Sequence, residues 1–152
     1  MIQKMVREFA ESEVKPIAKD LDKKQQFPSK IVEQMGELGL MGILVPEKYG
    51  GSGLDMVAFT TAIIELGRAD ASVAITMTAH NSLGILPLLV FGSKDQKSKY
   101  LPGLASGEIL GAFGLTEPEA GSDAGATKTK AVKVGDEFVV NGSKIFITNA
   151  GV

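Results

Sequence analysis

Residues 111–123, GAFGLTEPEAGSD, hold the groups of this chain best suited to binding chemistry. A short apolar run ends at Thr116-Glu117-Pro118, and small residues follow, closing on Gly121-Ser122-Asp123. Small side chains leave backbone N–H groups open to a ligand, and N–H groups beside a hydroxyl are what phosphates and flavin rings bind. Gly111 and Gly114 permit another group to approach the backbone closely. A second stretch, SKIFIT at 143–148, sets the ring of Phe146 near the hydroxyl of Thr148.

Other chemistries are excluded by what the chain lacks. Among 152 residues there is no cysteine, which removes disulfides, thiolate metal sites and thiol nucleophiles together. One histidine, His80, is too few for a His-based metal site, and a Ser-His-Asp triad is disfavoured; on an apolar helix it reads as a core residue satisfied by backbone. A net charge of -2 and no basic patch with interleaved aromatics argue against nucleic acid. The N-terminus, MIQKMVREFAESEVK, is charged throughout and unlike a signal peptide. Residues 71–91 are the most apolar stretch, but Thr76, Thr78, His80 and Asn81 interrupt them. That pattern predicts a buried helix and no membrane span. These features fit a soluble protein of a reducing compartment.

The elements that must position the two stretches fall into two halves, an α+β arrangement. Residues 1–108 carry helical signals and residues 109–152 a period of two. Met5, Phe9, Ile17 and Leu21 predict a first helix that Pro16 kinks or divides. Pro28 opens a second, with Ile31, Met35 and Leu38 as its stripe and Gly39 as its stop. Asp55 caps a third, carried by Phe59, Ile63 and Leu66 and closed by Gly67. The apolar helix follows, bent by Pro87, and Ser93 with Gln96 forms a capping box for the next. Beyond 108, residues 109–116 read as a strand with Phe113 and Leu115 on one face. Thr127, Thr129 and Ala131 alternate as another. Asn141-Gly142 predicts a hairpin in which Val140 faces Ser143 and Phe138 faces Ile145, so that Phe146 and Thr148 share a face. About forty residues of sheet have no second layer to pack against. The expected organisation is one complete helical domain, 1–108, and the incomplete start of an antiparallel β-domain, 109–152.

At this point the residues resemble a known family. LTEPEAGSDAG (115–125) resembles the first signature of the acyl-CoA dehydrogenases, and FITNAG (146–151) their second flavin-contacting segment, usually read W-I-T-N. ELGLMGILVPEKYGGSGLD and FGSKDQKSKYLPGLASGE in the helical half agree, and the similarity is closest to the short-chain, butyryl-CoA-type members. The resemblance implies an α-domain, a middle β-domain and a C-terminal α-domain, with FAD and acyl-CoA between them. It implies an oxidoreductase of fatty acid β-oxidation: a glutamate removes the α-proton of an acyl thioester, the β-hydrogen passes as hydride to the flavin, and the product is the trans-2-enoyl-CoA. Electron-transferring flavoprotein takes the electrons, and most members are tetramers. A bacterial-type cytoplasmic location follows, or the mitochondrial matrix if a transit peptide has been removed.

Carried over residue by residue, the resemblance gives FAD contacts to Phe113, Gly114, Leu115 and Thr116 along the ring. Ala120, Gly121 and Ser122 fall at the pyrophosphate, and Phe146, Ile147 and Thr148 flank the ring. Ser122 also touches acyl-CoA. No metal is implied. The catalytic glutamate belongs to a C-terminal domain outside these residues, so this chain is expected to be inactive alone. Two positions depart from the family: Phe146 stands where Trp is usual, losing an indole N–H, and Glu119 replaces a commonly small residue. An acyl-CoA oxidase shares these motifs, and a non-enzymatic helical interaction module is the reading from another class; it leaves the paired segments unexplained.

Overall fold

The computed structural model describes residues Met1–Val152. Helices α1 (Ile2–Phe9), α2 (Lys15–Lys24), α3 (Ser29–Glu37), α4 (Met56–Ala69), α5 (Ala71–Thr78), α6 (Leu86–Phe91) and α7 (Lys94–Ser106) precede a single antiparallel pair, β1 (Lys130–Val134) and β2 (Glu137–Asn141). The helical half therefore comes first and the strands second, as expected. Caps read from the sequence are present. Asp55 accepts from the Ala58 N–H at 2.9 Å. The Ser93–Gln96 capping box is closed on both sides. Gly39 sits at φ +72 just past α3, where a side chain is strained.

Pro16 and Pro87 each mark a local disturbance of the helix that carries them. Neither Pro16 nor Pro87 breaks its helix. Each is preceded by a π-helical stretch, Ala10–Val14 and Ala79–Ile85. The wider turn carries the carbonyl four residues back clear of the proline ring, and the missing N–H costs no α-type bond. The extra residue also rotates the buried stripe. Val6, Phe9, Ala10 and Val14 enter the core, whereas Ile17 is exposed and Met5 and Leu21 are only partly buried. Gly67 does not end its helix either: α4 runs on to Ala69, and Asp70 turns the chain and caps α5 through the Val73 N–H at 2.8 Å.

The main core joins Val6, Val14, Ile31, Met35, Ile43, Leu66 and Met77, all at most 2% exposed. A smaller one, around Ile85 and Leu101, seats α7 against the second π stretch. Across the first core Arg7 makes a bidentate bond to the buried Glu65 at 2.8 and 2.7 Å, and Gln3 donates to the same carboxylate at 2.9 Å. The 21-residue helix Ala71–Phe91 is long and apolar enough to cross a bilayer, but it carries the buried polar residues His80 and Asn81. Asn81 donates to the Leu40 carbonyl at 3.1 Å, tying this helix into the bundle.

Two strand expectations are corrected. Residues 109–116 form no strand: none lies beside them to pair with, and two glycines weaken the run. The hairpin turns at Gly135-Asp136, where Val134 pairs with Glu137 and Gly135 has φ +62 at the first central position, as a II′ turn needs. Asn141-Gly142 is no turn. Gly142 passes so close to Thr129 that a Cβ there meets the Thr129 hydroxyl at 2.1 Å, so glycine serves a backbone crossing. Val140 pairs with Ala131 and Phe138 with Lys133, and residues 143–148 form no strand.

Candidate functional site

Residues 111–116 leave the helical half through a fixed gate. The Gly111 N–H donates to His80 Nδ1 at 2.8 Å, and His80 Nε2–H donates to the Leu104 carbonyl at 2.9 Å. Both ring nitrogens are thereby used by a neutral imidazole, and burial pushes its pKa below the ordinary histidine value. Gly111 also crosses Gly84 at the second π stretch: a Cβ on Gly84 meets the Gly111 Cα at 2.9 Å. His80 is a core histidine, with a structural duty at the start of the candidate segment.

The second stretch lies alongside the first and runs the opposite way. Asn149 Nδ2 donates to the Gly111 carbonyl at one end, and Ile145 N–H donates to the Thr116 carbonyl at the other, at 3.1 and 2.9 Å. Asn149 also donates to the Thr76 carbonyl of α5 at 3.1 Å. Phe113, Gly114, Leu115 and Thr116 are therefore brought beside Phe146, Ile147 and Thr148, as expected. Their geometry is a bend and not a strand. Phe146 is left-handed at φ +55 and 89% exposed, a sparsely populated conformation for a bulky residue, so the shared strand face with Thr148 does not exist.

Reciprocal Glu117–Ala120 backbone bonds at 3.0 and 3.1 Å close a tight turn over Pro118-Glu119, and Gly121 and Ser122 are exposed just beyond it, at the start of a loop that runs to Lys128. Ala120 is buried at the end of that turn. The Glu117 carboxyl, 6% exposed, accepts from the Lys128 N–H at 2.6 Å, the Thr129 N–H at 3.0 Å and Lys144 Nζ at 2.8 Å. Lys144 foremost, then these amides, hold its pKa down at about 2. Glu119 pairs with Lys128 at the surface. Lys130 and Lys133 lie on the exposed strand β1.

This surface fits a flavin. Phe113, Leu115 and Phe146 expose apolar area on adjacent segments. The backbone N–H groups of residues 112–116 donate to no acceptor in the chain, and neither do those of Gly121 and Ser122. A Cβ built on Gly121 meets nothing, so the tip is open. Sequence reasoning missed Lys144 and Asn149. Lys144 lies 27 residues from its partner and has no local signature. Asn149 was more legible: Asn-Ala-Gly is turn chemistry, and it stands at φ +68, which asparagine tolerates.

Residues 1–108 match the family model "Acyl-CoA dehydrogenase, N-terminal domain", and residues 112–152 match "Acyl-CoA dehydrogenase, middle domain". The chain belongs to the acyl-CoA dehydrogenase family. It is 51% identical over 151 residues to an acyl-CoA dehydrogenase of Bacillus subtilis, covering 99% of this chain and 40% of that one. It is 49% identical to the short-chain specific acyl-CoA dehydrogenase of Clostridium acetobutylicum, over 100% and 40%. A Bacillus anthracis acyl-CoA dehydrogenase solved in complex with FAD superposes with a TM-score of 0.92 at 44% identity, over 98% of this chain and 26% of that one. The chain thus spans about 40% of the length of the curated relatives it matches.

Proposed function

We propose that residues 1–108 form the helical domain, and 109–152 the opening of the middle β-domain, of an FAD-dependent acyl-CoA dehydrogenase for short-chain acyl thioesters. One observation carries this reading: segments 113–116 and 146–148 lie side by side, with exposed apolar side chains and amides that donate to no acceptor in the chain. Bound flavin supplies the acceptor for the substrate's β-hydrogen. Phe113, Leu115 and Phe146 bound the ring and keep water from it, with Gly114 and Ile147 giving backbone contact. The Thr116 and Thr148 hydroxyls orient its polar edge. Ala120, Gly121 and Ser122 form the pyrophosphate end, and Ser122 also contacts the acyl-CoA. The proton-abstracting glutamate comes from the remainder of a longer enzyme, which is tetrameric, resides in the cytoplasm, yields the trans-2-enoyl-CoA and passes electrons to electron-transferring flavoprotein. The short-chain assignment rests on relatives such as the Clostridium acetobutylicum enzyme.

The test is removal of flavin from the full-length enzyme and readdition of FAD. Binding that quenches flavin fluorescence, and that Ser122→Ala and Phe146→Ala each weaken, supports the reading. FAD binding indifferent to both substitutions refutes this placement of the site.

A further inference from the structure

Glu117 is a buried carboxylate in a stretch of chain otherwise mostly exposed. Burial of a carboxylate is costly unless its oxygens are fully met, and here three donors from two other stretches meet them. One of the three, Lys144 Nζ, also donates to the Leu115 carbonyl at 2.8 Å. A single ammonium therefore grips the first ring-facing segment twice, once by backbone and once by side chain. The Ile145 N–H next to it grips the same segment a third time, at the Thr116 carbonyl. Glu117 also holds both ends of the 121–127 loop, Ala120 through backbone bonds and Lys128 and Thr129 through its carboxylate. Glu117 is buried, and Lys144 gives two of its N–H groups to acceptors within the chain while its stem lies against Gly114.

We propose that Glu117 and Lys144 form a positioning clasp, which sets the spacing of the two flavin-facing segments and the angle of the pyrophosphate loop without touching the ligand. The proposal rests on the flavin reading above. Charge-assisted bonds of this kind are short and geometrically demanding, so losing one loosens both segments together. A carboxylate left with only its two amides also draws water into the turn.

The full-length enzyme stripped of flavin tests it by titration with FAD, with the apoprotein melting temperature measured beside each affinity. Glu117→Gln and Lys144→Met are expected to weaken FAD by roughly ten- to a hundredfold each. The double variant is expected to lose clearly less than the sum of the two single losses, because either substitution already removes the shared Glu117–Lys144 bond. Lys144→Arg, which keeps the charge, is expected to recover most of the affinity. The apoprotein melting temperature should stay near wild type throughout, since Lys144 lies at the rim and the helical cores are untouched. Wild-type affinity in Lys144→Met overturns the clasp. So do additive losses, and so does a Lys144→Met protein that melts early or fails to fold, which makes the pair a prop of the fold. A wild-type apoprotein that binds no FAD refutes the functional reading itself, an outcome distinct from the others.

Discussion

Thr116 and Glu117 are adjacent, yet one is half-buried at the outer surface and the other is sealed beneath it. On the proposed reading, this contrast separates a ligand-facing residue from a supporting one. Thr116→Val in the full-length enzyme keeps shape and removes the donor. A bond to a charged group is worth about 1.5–3 kcal/mol, so flavin reduction by substrate is expected to slow by roughly one to two powers of ten. FAD content stays near normal. Stopped-flow rates decide it, and an unchanged rate means the hydroxyl only fills space. Glu65 offers a test in the helical core. Hydrogen bonds from Arg7 first, and then Gln3, hold its pKa down at about 2, against an ordinary 4.5. A carboxylate whose folded pKa is lowered contributes stability in full above the unfolded value, and that contribution fades as pH falls from about 4.5 towards 2. Glu65→Gln should lower the urea midpoint at neutral pH and flatten its fall across that acid window. An acid slope equal to wild type contradicts the assignment. The small-residue loop and its hydroxyls were legible as a binding stretch because local composition decides backbone exposure. The Glu117–Lys144 and Glu65–Arg7 pairs were not, because nothing local links residues 27 or 58 apart.

Helix caps were the most readable elements, since Asp55, Ser93 and Gln96 act within one turn of themselves. The π stretches were not readable. Pro16 and Pro87 announce a disturbance, but only packing decides between a broken helix and a widened turn. The widened turn at Ala79–Ile85 has a consequence for the site, because it holds His80 and Gly84 where Gly111 crosses. Gly84→Ala drives a Cβ into the Gly111 Cα at 2.9 Å, and overpacking of this kind costs about 1–3 kcal/mol. Urea unfolding followed by circular dichroism checks that, and a neutral substitution means the crossing is loose. In the sheet half the Asn-Gly signal outranked Gly135-Asp136, although both sit between β-rich runs. Contact between Gly142 and Thr129, invisible in sequence, made the difference.

At the scale of the whole molecule, both apolar cores lie within the helical half, while all ten residues of β1 and β2 are exposed. The helical half holds its own apolar cores, and segments 111–116 and 145–149 are hydrogen-bonded to it only through Gly111 and Asn149. Ordering each loop residue costs about 1–2 kcal/mol, so the 152-residue chain alone is expected to bind FAD weakly and to show no acyl-CoA-dependent dye reduction. Tight stoichiometric binding in equilibrium dialysis means the loop is preorganised without further support. The central claim is that these two segments hold the flavin of a short-chain acyl-CoA dehydrogenase. Anaerobic titration of the full-length enzyme with butyryl-CoA tests it most directly, read by the visible absorbance of the bound flavin. Butyryl-CoA is expected to bleach the flavin, and long-chain acyl-CoA to do so far less. A colourless protein, or a flavin that no acyl-CoA bleaches, contradicts it.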